Sequence, residues 1–342
     1  MSTHLPNPDV TRRTFMAGAA SAIVATALVG CGGEVPVEVT PSTSDIPDPV
    51  IDVSGASEVA RDIMIIPDRG KTFVPNIGII GGRDSVLIVD TGMGQENAEK
   101  VLDYAVKYAR GRKLYLTTTH FHPEHAYGAD IITKDATYLA NKAQIEDLHR
   151  KGQPYLTMFR HDFGAAVAKR LDKVQLVDPT ITYDRDYDLD LGGRVVQLRA
   201  TGQAHTMGDQ LVIVPDVKMV FTGDLVETHQ FAIFPWYPPS DVDVSGVRWR
   251  EVMRKAIADA PSIVVPGHGN VGDISRLTDT HGYLDELIQE TWKQTAEGKS
   301  VEDIVPAVKE LMFQRHPEWI GREWVEKGIR CVHTEAPKTA SR

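Results

Sequence analysis

The chain has 342 residues, 42% of them hydrophobic, and carries a net charge of −10. That length allows a sizeable buried core in one large domain or two. An acidic body argues against a nucleic-acid partner, because phosphate binding needs a basic footprint. Two cysteines, Cys31 and Cys331, are too few for a disulfide framework.

The N-terminus reads as an address. Thr11-Arg12-Arg13-Thr14-Phe15-Met16 precedes a small and apolar run from Ala17 to Gly30. That run, about 14 residues, is too short to span a bilayer and has the length of a signal-peptide apolar region. The paired arginines resemble a twin-arginine export signal, and Leu28-Val29-Gly30-Cys31 resembles a bacterial lipobox. Residues 1–31 are therefore expected to be a signal peptide, with Cys31 lipidated and the mature chain periplasmic or anchored to the membrane facing the periplasm. Cleavage without lipid is the competing reading. Residues 32–55, rich in Pro, Ser, Thr and acidic side chains, are expected to be a flexible linker.

From Ala56 onward strands and helices alternate. Residues 62–66 and 76–80 are short apolar runs followed by the turn Gly81-Gly82-Arg83-Asp84. Ser85 to Val89 reads as a buried strand that ends at Asp90 and Gly92. Ala98, Val101, Leu102, Ala105 and Tyr108 then recur at helical spacing, and Lys113 to Thr118 is again a strand. Residues 142–172 read as helix, with interruptions expected near Gly152 and Pro154. Strands are expected at 194–199, 210–214, 218–222 and 263–265. A helix stripe over 252–260 has Ser245 as a possible cap. Beyond Gly269 the periodicity is helical, with a start blurred by Pro306 in the second helix.

The densest chemistry lies directly after the 113–118 strand. Thr119-His120-Phe121-His122-Pro123-Glu124-His125 places three imidazoles and a carboxylate within six residues. Imidazole is a costly core residue and adjacent cationic forms repel each other, so such a cluster suits a metal ion with N and O ligands. Three more candidates follow apolar strands and stand beside glycine: His205, Asp224 and His268. Glycine there allows a tight turn that exposes the side chain at a sheet edge. Four such sites in order point to one composite metal centre.

The order Asp90, His120-x-His122-x-Glu124-His125, His205, Asp224, His268 resembles the metallo-β-lactamase superfamily. The resemblance covers roughly residues 58–270, with 56–270 as the domain and 271–342 as a helical C-terminal segment packed on it. It implies a four-layer αββα sandwich with metals at one sheet edge, and zinc, one or two ions per chain, as cofactor. It further implies that His120, His122 and His205 hold one ion, that Glu124, His125 and His268 hold a second, and that Asp224 bridges them. Asp90 is implied as a supporting carboxylate. Family members usually carry Asp where Glu124 stands, so the longer side chain must fold differently or the second ion must move.

The implied activity is metal-dependent hydrolysis of an ester, thioester, lactone or β-lactam of a small-molecule substrate, with metal-activated water as nucleophile and Asp224 or Glu124 orienting it. Asp at 224 resembles the glyoxalase-II-like and lactonase-like branches. The alternatives are a mononuclear iron dioxygenase on the same scaffold and a lipid-tethered metal-binding accessory protein. Phe231-Ala232-Ile233-Phe234-Pro235-Trp236-Tyr237-Pro238-Pro239 reads either as a packing loop or as an apolar wall beside the metals, and His229 as a bland surface residue or a donor to substrate.

Overall fold

The computed structural model describes residues 46–337. The expected signal peptide, Cys31 and most of the expected linker lie outside the described residues. The last part of that linker is not loose. Ile51 is buried, its N–H donates to Asn97 Oδ1 at 3.0 Å, and Asn97 Nδ2 donates to Pro49 O at 2.7 Å. The chain is thus already packed on the domain ahead of Ala56.

In chain order the elements are β1 (Ser57–Ala60), β2 (Ile63–Ile66), β3 (Ile77–Gly81), β4 (Ser85–Val89), α1 (Gln95–Ala109), β5 (Lys113–Thr117), the short helices α2 (Pro123–Ala126) and α3 (Ala129–Ile132), and β6 (Ala136–Asn141). Next come α4 (Lys142–Asp162), α5 (Gly164–Leu171), β7 (Ile181–Tyr183), β8 (Asp186–Asp190), β9 (Val195–Ala200), β10 (Gln210–Val214) and β11 (Met219–Glu227). The chain continues through α6 (Gly246–Ala258), β12 (Ile263–His268), α7 (Ser275–Ala296), α8 (Val301–Arg315) and α9 (Glu323–Thr334).

Two mixed sheets result. The first has the order β1-β2-β3-β4-β5-β6-β7 and the second β12-β11-β10-β9-β8. From β4 to β7 neighbours run parallel, joined by helices, whereas β1 to β4 are antiparallel. In the second sheet only β11 and β12 are parallel.

Side-chain alternation divides each strand between two cores. Ile63, Ile65, Leu87 and Val89 face Val196, Leu198, Val212 and Phe221 of the other sheet. Val86, Ile88, Leu114 and Leu116 face outward onto Ala98, Val101 and Ala105 of α1. The outer face of the second sheet is covered by Trp249 and Met253 of α6, Leu284 and Leu287 of α7, and apolar residues of α8 and α9. The arrangement is the expected αββα sandwich with helices added at the C-terminus.

Helix α4 corrects one expectation. It runs unbroken through Gly152 and Pro154, and the break falls at Phe163. A proline inside a helix forfeits one hydrogen bond and clashes with the preceding turn, costing about 3 kcal/mol. Burial of Tyr155, Leu156 and Phe159 just beyond it offsets that cost.

Candidate metal centre

The strands that face the site deliver their side chains at, near or just past their C-terminal ends. β4 ends at Val89, and Asp90 follows with φ 68°, a left-handed conformation that non-glycine residues seldom adopt. That turn directs the carboxylate sideways. Oδ1 accepts the Thr119 N–H at 2.6 Å, and Oδ2 accepts the Thr119 hydroxyl at 3.0 Å and His125 Nδ1–H at 2.9 Å. The 119–125 segment is therefore pinned to the end of β4.

The His cluster sits in the turn between β5 and α2 rather than on the strand itself, with His122 as the N-cap of α2. His120 Nε2 lies 3.1 Å from His122 Nδ1, and His205 Nε2 lies 3.0 Å from the same atom. A tetrahedral ion with bonds near 2.0–2.1 Å would hold its ligand nitrogens roughly 3.3 Å apart. The far nitrogens of His205 and His268 are engaged elsewhere. His205 Nδ1–H donates to Ile233 O at 2.8 Å, and His268 Nδ1–H donates to Val74 O at 3.0 Å. His122 makes no such bond, and its ring is held by stacking on Tyr155 with centroids 5.1 Å apart.

Asp224, inside β11, stands between the two groups. Its Oδ2 lies 3.8 Å from His120 Nε2 and 3.9 Å from His205 Nε2. Its Oδ1 lies 3.1 Å from His125 Nε2 and 3.6 Å from His268 Nε2. Two sets of potential ligand atoms result, each within 4.8 Å of one another: His120, His122, His205 and Asp224, and Glu124, His125, Asp224 and His268. All seven expected ligands are thus brought together, Glu124 included. The extra methylene does not carry its carboxylate out of reach.

All but His268 are buried, so the approach lies on its side of the centre. Burial holds His120 and His122 well below the ordinary imidazole pKa, and it lowers His205 to about 4. These rings are neutral, as metal ligation requires. Burial opposes the charged forms of His125 and Asp224 as well, but mutual attraction outweighs it, with Asp90 and His268 assisting. His125 is pushed well above, and Asp224 well below, their usual ranges. Burial raises Glu124. The buried Glu124 Oε2 lacks a hydrogen-bond partner, and His125 Nε2 and Asp224 Oδ1, 3.1 Å apart, have none other than each other. Orphaned buried donors and acceptors are costly, and here they converge on shared points, so the donor set fits divalent cations.

One acidic residue escaped the sequence reading. Glu227, the last residue of β11, pairs in register with His268 of β12, and neither of its carboxylate oxygens has a partner. Burial first, and the Asp224 charge next, push it well above the carboxylate range. No glycine flanks it, which is why the strand-end pattern passed it over.

The loop after β11 combines core residues with partly exposed ones. Phe231 and Phe234 are wholly buried, against Tyr283 at 5.3 Å and Trp249 at 5.2 Å. They are core, and the loop serves the centre through the Ile233 carbonyl that orients His205. Ile233, Trp236 and Tyr237 retain partial exposure, whereas His229 is exposed and its Nε2 lies 3.5 Å from an Arg276 nitrogen.

The family model for the metallo-beta-lactamase superfamily matches residues 70–268, more than half of the chain. The chain belongs to the metallo-β-lactamase superfamily. It is 22% identical to a metallo-beta-lactamase type 2 from Bacteroides fragilis over 229 residues, covering 66% of this chain and 81% of that protein. Among solved structures, a metallo-beta-lactamase from Pontibacter korlensis superposes with a TM-score of 0.54 and 18% identity, over 67% of this chain and 98% of its own. A stereoselective inverting sec-alkylsulfatase from Pseudomonas sp. superposes with a TM-score of 0.64 and 16% identity. That match takes in 82% of this chain but spans only 50% of the sulfatase. Superfamily membership and the paired ligand sets together make this a metal-dependent hydrolase fold with its centre at one sheet edge.

Proposed function

We propose that this chain is an exported, zinc-dependent hydrolase that cleaves an ester, thioester, lactone or β-lactam of a small molecule, in the manner of the glyoxalase-II-like and lactonase-like branches. The observation that carries this reading is Asp224, whose two oxygens are divided between two ligand sets. His120, His122 and His205 would hold one ion, Glu124, His125 and His268 the other, and Asp224 both. When bound, such ions lower the pKa of water towards neutrality and polarise a carbonyl oxygen. The protein's part is preorganisation. Asp224 and Glu124 orient the nucleophile, while Asp90, Thr119, Ile233 O and Val74 O fix the imidazoles.

Export rests on the twin-arginine-like and lipobox-like sequence at residues 11–31. Its test is Cys31→Ser, which should release the protein from the membrane fraction; unaltered fractionation would sink lipidation. The hydrolase reading is tested by metal analysis coupled to a panel of an ester, a thioester, a lactone, a β-lactam and a secondary alkyl sulfate. Two equivalents of zinc and turnover of a carbonyl substrate are expected. Turnover of the sulfate alone would transfer the function to the class named for the structure that superposes over more of this chain. Iron content with oxygen uptake would favour the dioxygenase, and metal-loaded protein inert towards the whole panel would leave the hydrolase reading without support.

A further inference from the structure

At the opposite end of the sandwich the turns of both sheets frame a cavity of about 710 Å³. Gly81 and Gly82 come from the turn between β3 and β4, Gly192 and Gly193 from the turn between β8 and β9, and the C-terminus of α1 forms a third wall. The two turns are tied together, with Arg83 N–H donating to Gly192 O at 3.1 Å and Asp84 N–H to Leu191 O at 2.9 Å. Strand β4 starts beside this cavity and ends at the metal centre, so the two lie roughly 17 Å apart at about 3.3 Å per residue. They share no lining residue.

Six cations line the cavity, Arg61, Arg83, Lys107, Arg110, Arg112 and Arg194, against two carboxylates, Asp62 and Asp216. On a chain of net charge −10 this is a concentrated reversal of sign. The fold itself uses some of them. Arg194 is buried, donates to Gly81 O at 2.7 Å and Arg61 O at 2.8 Å, and meets Asp216 at 3.0 Å. Arg83 pairs with Asp84 at 2.9 Å.

Arg112 is held differently. Its Nε, Nη1 and Nη2 donate to Ala109 O, Gly82 O and Tyr108 O at 2.7–2.8 Å, and its guanidinium lies 5.2 Å from the Tyr108 ring centroid. The group is immobile, yet among the described residues no carboxylate lies within 4.0 Å of it. A guanidinium has five N–H donors, so two remain to be used. Lys107 and Arg110 are exposed and equally without a carboxylate, and Arg61 reaches Asp216 only at 3.9 Å. Cations at a helix C-terminus complement the helix dipole, which accounts for Lys107 and Arg110. It does not account for Arg61, brought from the turn between β1 and β2 to the same cavity, or for the two donors that Arg112 leaves unused.

We propose that this cavity binds a phosphate-type oxyanion bearing more than one charge, with Arg112 as its fixed floor and Lys107, Arg110 and Arg61 closing from the rim. A rigid guanidinium fork matches tetrahedral oxyanion geometry, and the flexible cations add charge without prior ordering. The volume exceeds that of a lone ion and suits a diphosphate or a phosphodiester headgroup. Both sources present the same chemistry.

The test uses the metal-loaded full-length chain and a Lys107→Glu/Arg110→Glu variant, whose changes are exposed and remote from the metal centre. Calorimetry with inorganic pyrophosphate covers the free ligand. Co-sedimentation with phosphatidylglycerol vesicles, against phosphatidylcholine vesicles, covers the headgroup. Binding in either arm that weakens about tenfold or more in the variant is expected, since two charges are reversed. Loss in the pyrophosphate arm assigns a soluble phosphate compound, and loss in the vesicle arm alone assigns a lipid headgroup. Absence of binding in both arms, or equal binding by parent and variant, overturns the proposal.

Discussion

Asp90 Oδ2 accepts a hydrogen bond from His125 Nδ1 at 2.9 Å, and this contact decides which nitrogen of His125 faces Asp224. The carboxylate is held in turn by the Thr119 N–H and hydroxyl, so it cannot swing away. Removing it with Asp90→Ala frees the His125 ring directly and loosens His120 and His122 only through the backbone of residues 119–125, while His205 is unaffected. Loss of such a supporting carboxylate typically costs 10–100-fold in metal affinity. Chelator competition should therefore show two release steps, with the step of the site that contains His125 shifted more. Equal weakening of both sites would contradict the division of ligands.

Gly267 tests the bridging position of Asp224. A Cβ built on Gly267 would lie 2.0 Å from Asp224 Oδ1 and 2.9 Å from its backbone nitrogen. Backbone on one side leaves no room for relief, so Gly267→Ala must displace the carboxylate. The expected outcome is loss of at least one metal equivalent and a fall in turnover of about 100-fold or more, comparable to losing a positioned electrostatic group. Metal content and kcat are the readouts, and a variant with full metal content would show that Asp224 does not bridge.

Lys151 anchors the elements behind the centre. Its buried ammonium lies 3.0 Å from Asp241 and 3.2 Å from Asp147, while Asp147 Oδ2 accepts Met207 N–H at 3.0 Å and Asp241 accepts the Tyr155 hydroxyl at 2.8 Å. Tyr155 is the ring on which His122 stacks. Lys151 also meets Asp243 at 2.8 Å. Lys151→Met leaves Asp147 and Asp243 with Arg150 but strands the buried Asp241 carboxylate, a change that typically costs about 3–5 kcal/mol. Denaturant unfolding should register a loss of that order, and a loss below about 1 kcal/mol would mean the cluster is not ionised as drawn.

What was legible in the sequence had a local signature. Asp90, His205, Asp224 and His268 each combine an apolar strand, a nearby glycine and a polar side chain, and the structure gathers all of them. Glu227 has the apolar strand but no glycine, and its significance comes from register with His268, a contact across 41 positions that no local pattern encodes. Strand β8, Asp186-Tyr187-Asp188-Leu189-Asp190, carries no apolar strand signal because three of its five residues are aspartates. It is an edge strand, where charge discourages pairing with another chain. The unbroken α4 illustrates the reverse case, in which tertiary burial of Tyr155 and Phe159 overrides the local signal of Pro154. The basic cavity likewise arises from turns far apart in sequence.

Lys327 offers a pH test away from the metals. Its ammonium lies 3.5 Å from the centroid of Tyr237 and 4.9 Å from that of Trp324, and Glu323 supplies the opposite charge nearby among the described residues. Burial lowers its pKa from 10.5 to about 8, against the weaker opposing pull of Glu323. Between these values the unfolded chain binds the proton and the folded chain does not, so stability rises with pH across that window. The contribution is fully present above 10.5 and is lost as pH falls through 8. Unfolding free energies measured between pH 8 and 10 should therefore contain an upward slope that Lys327→Met lacks. Identical slopes in the two proteins would show that the ammonium keeps its proton on the aromatic faces, and that cation–π attraction outweighs the loss of water.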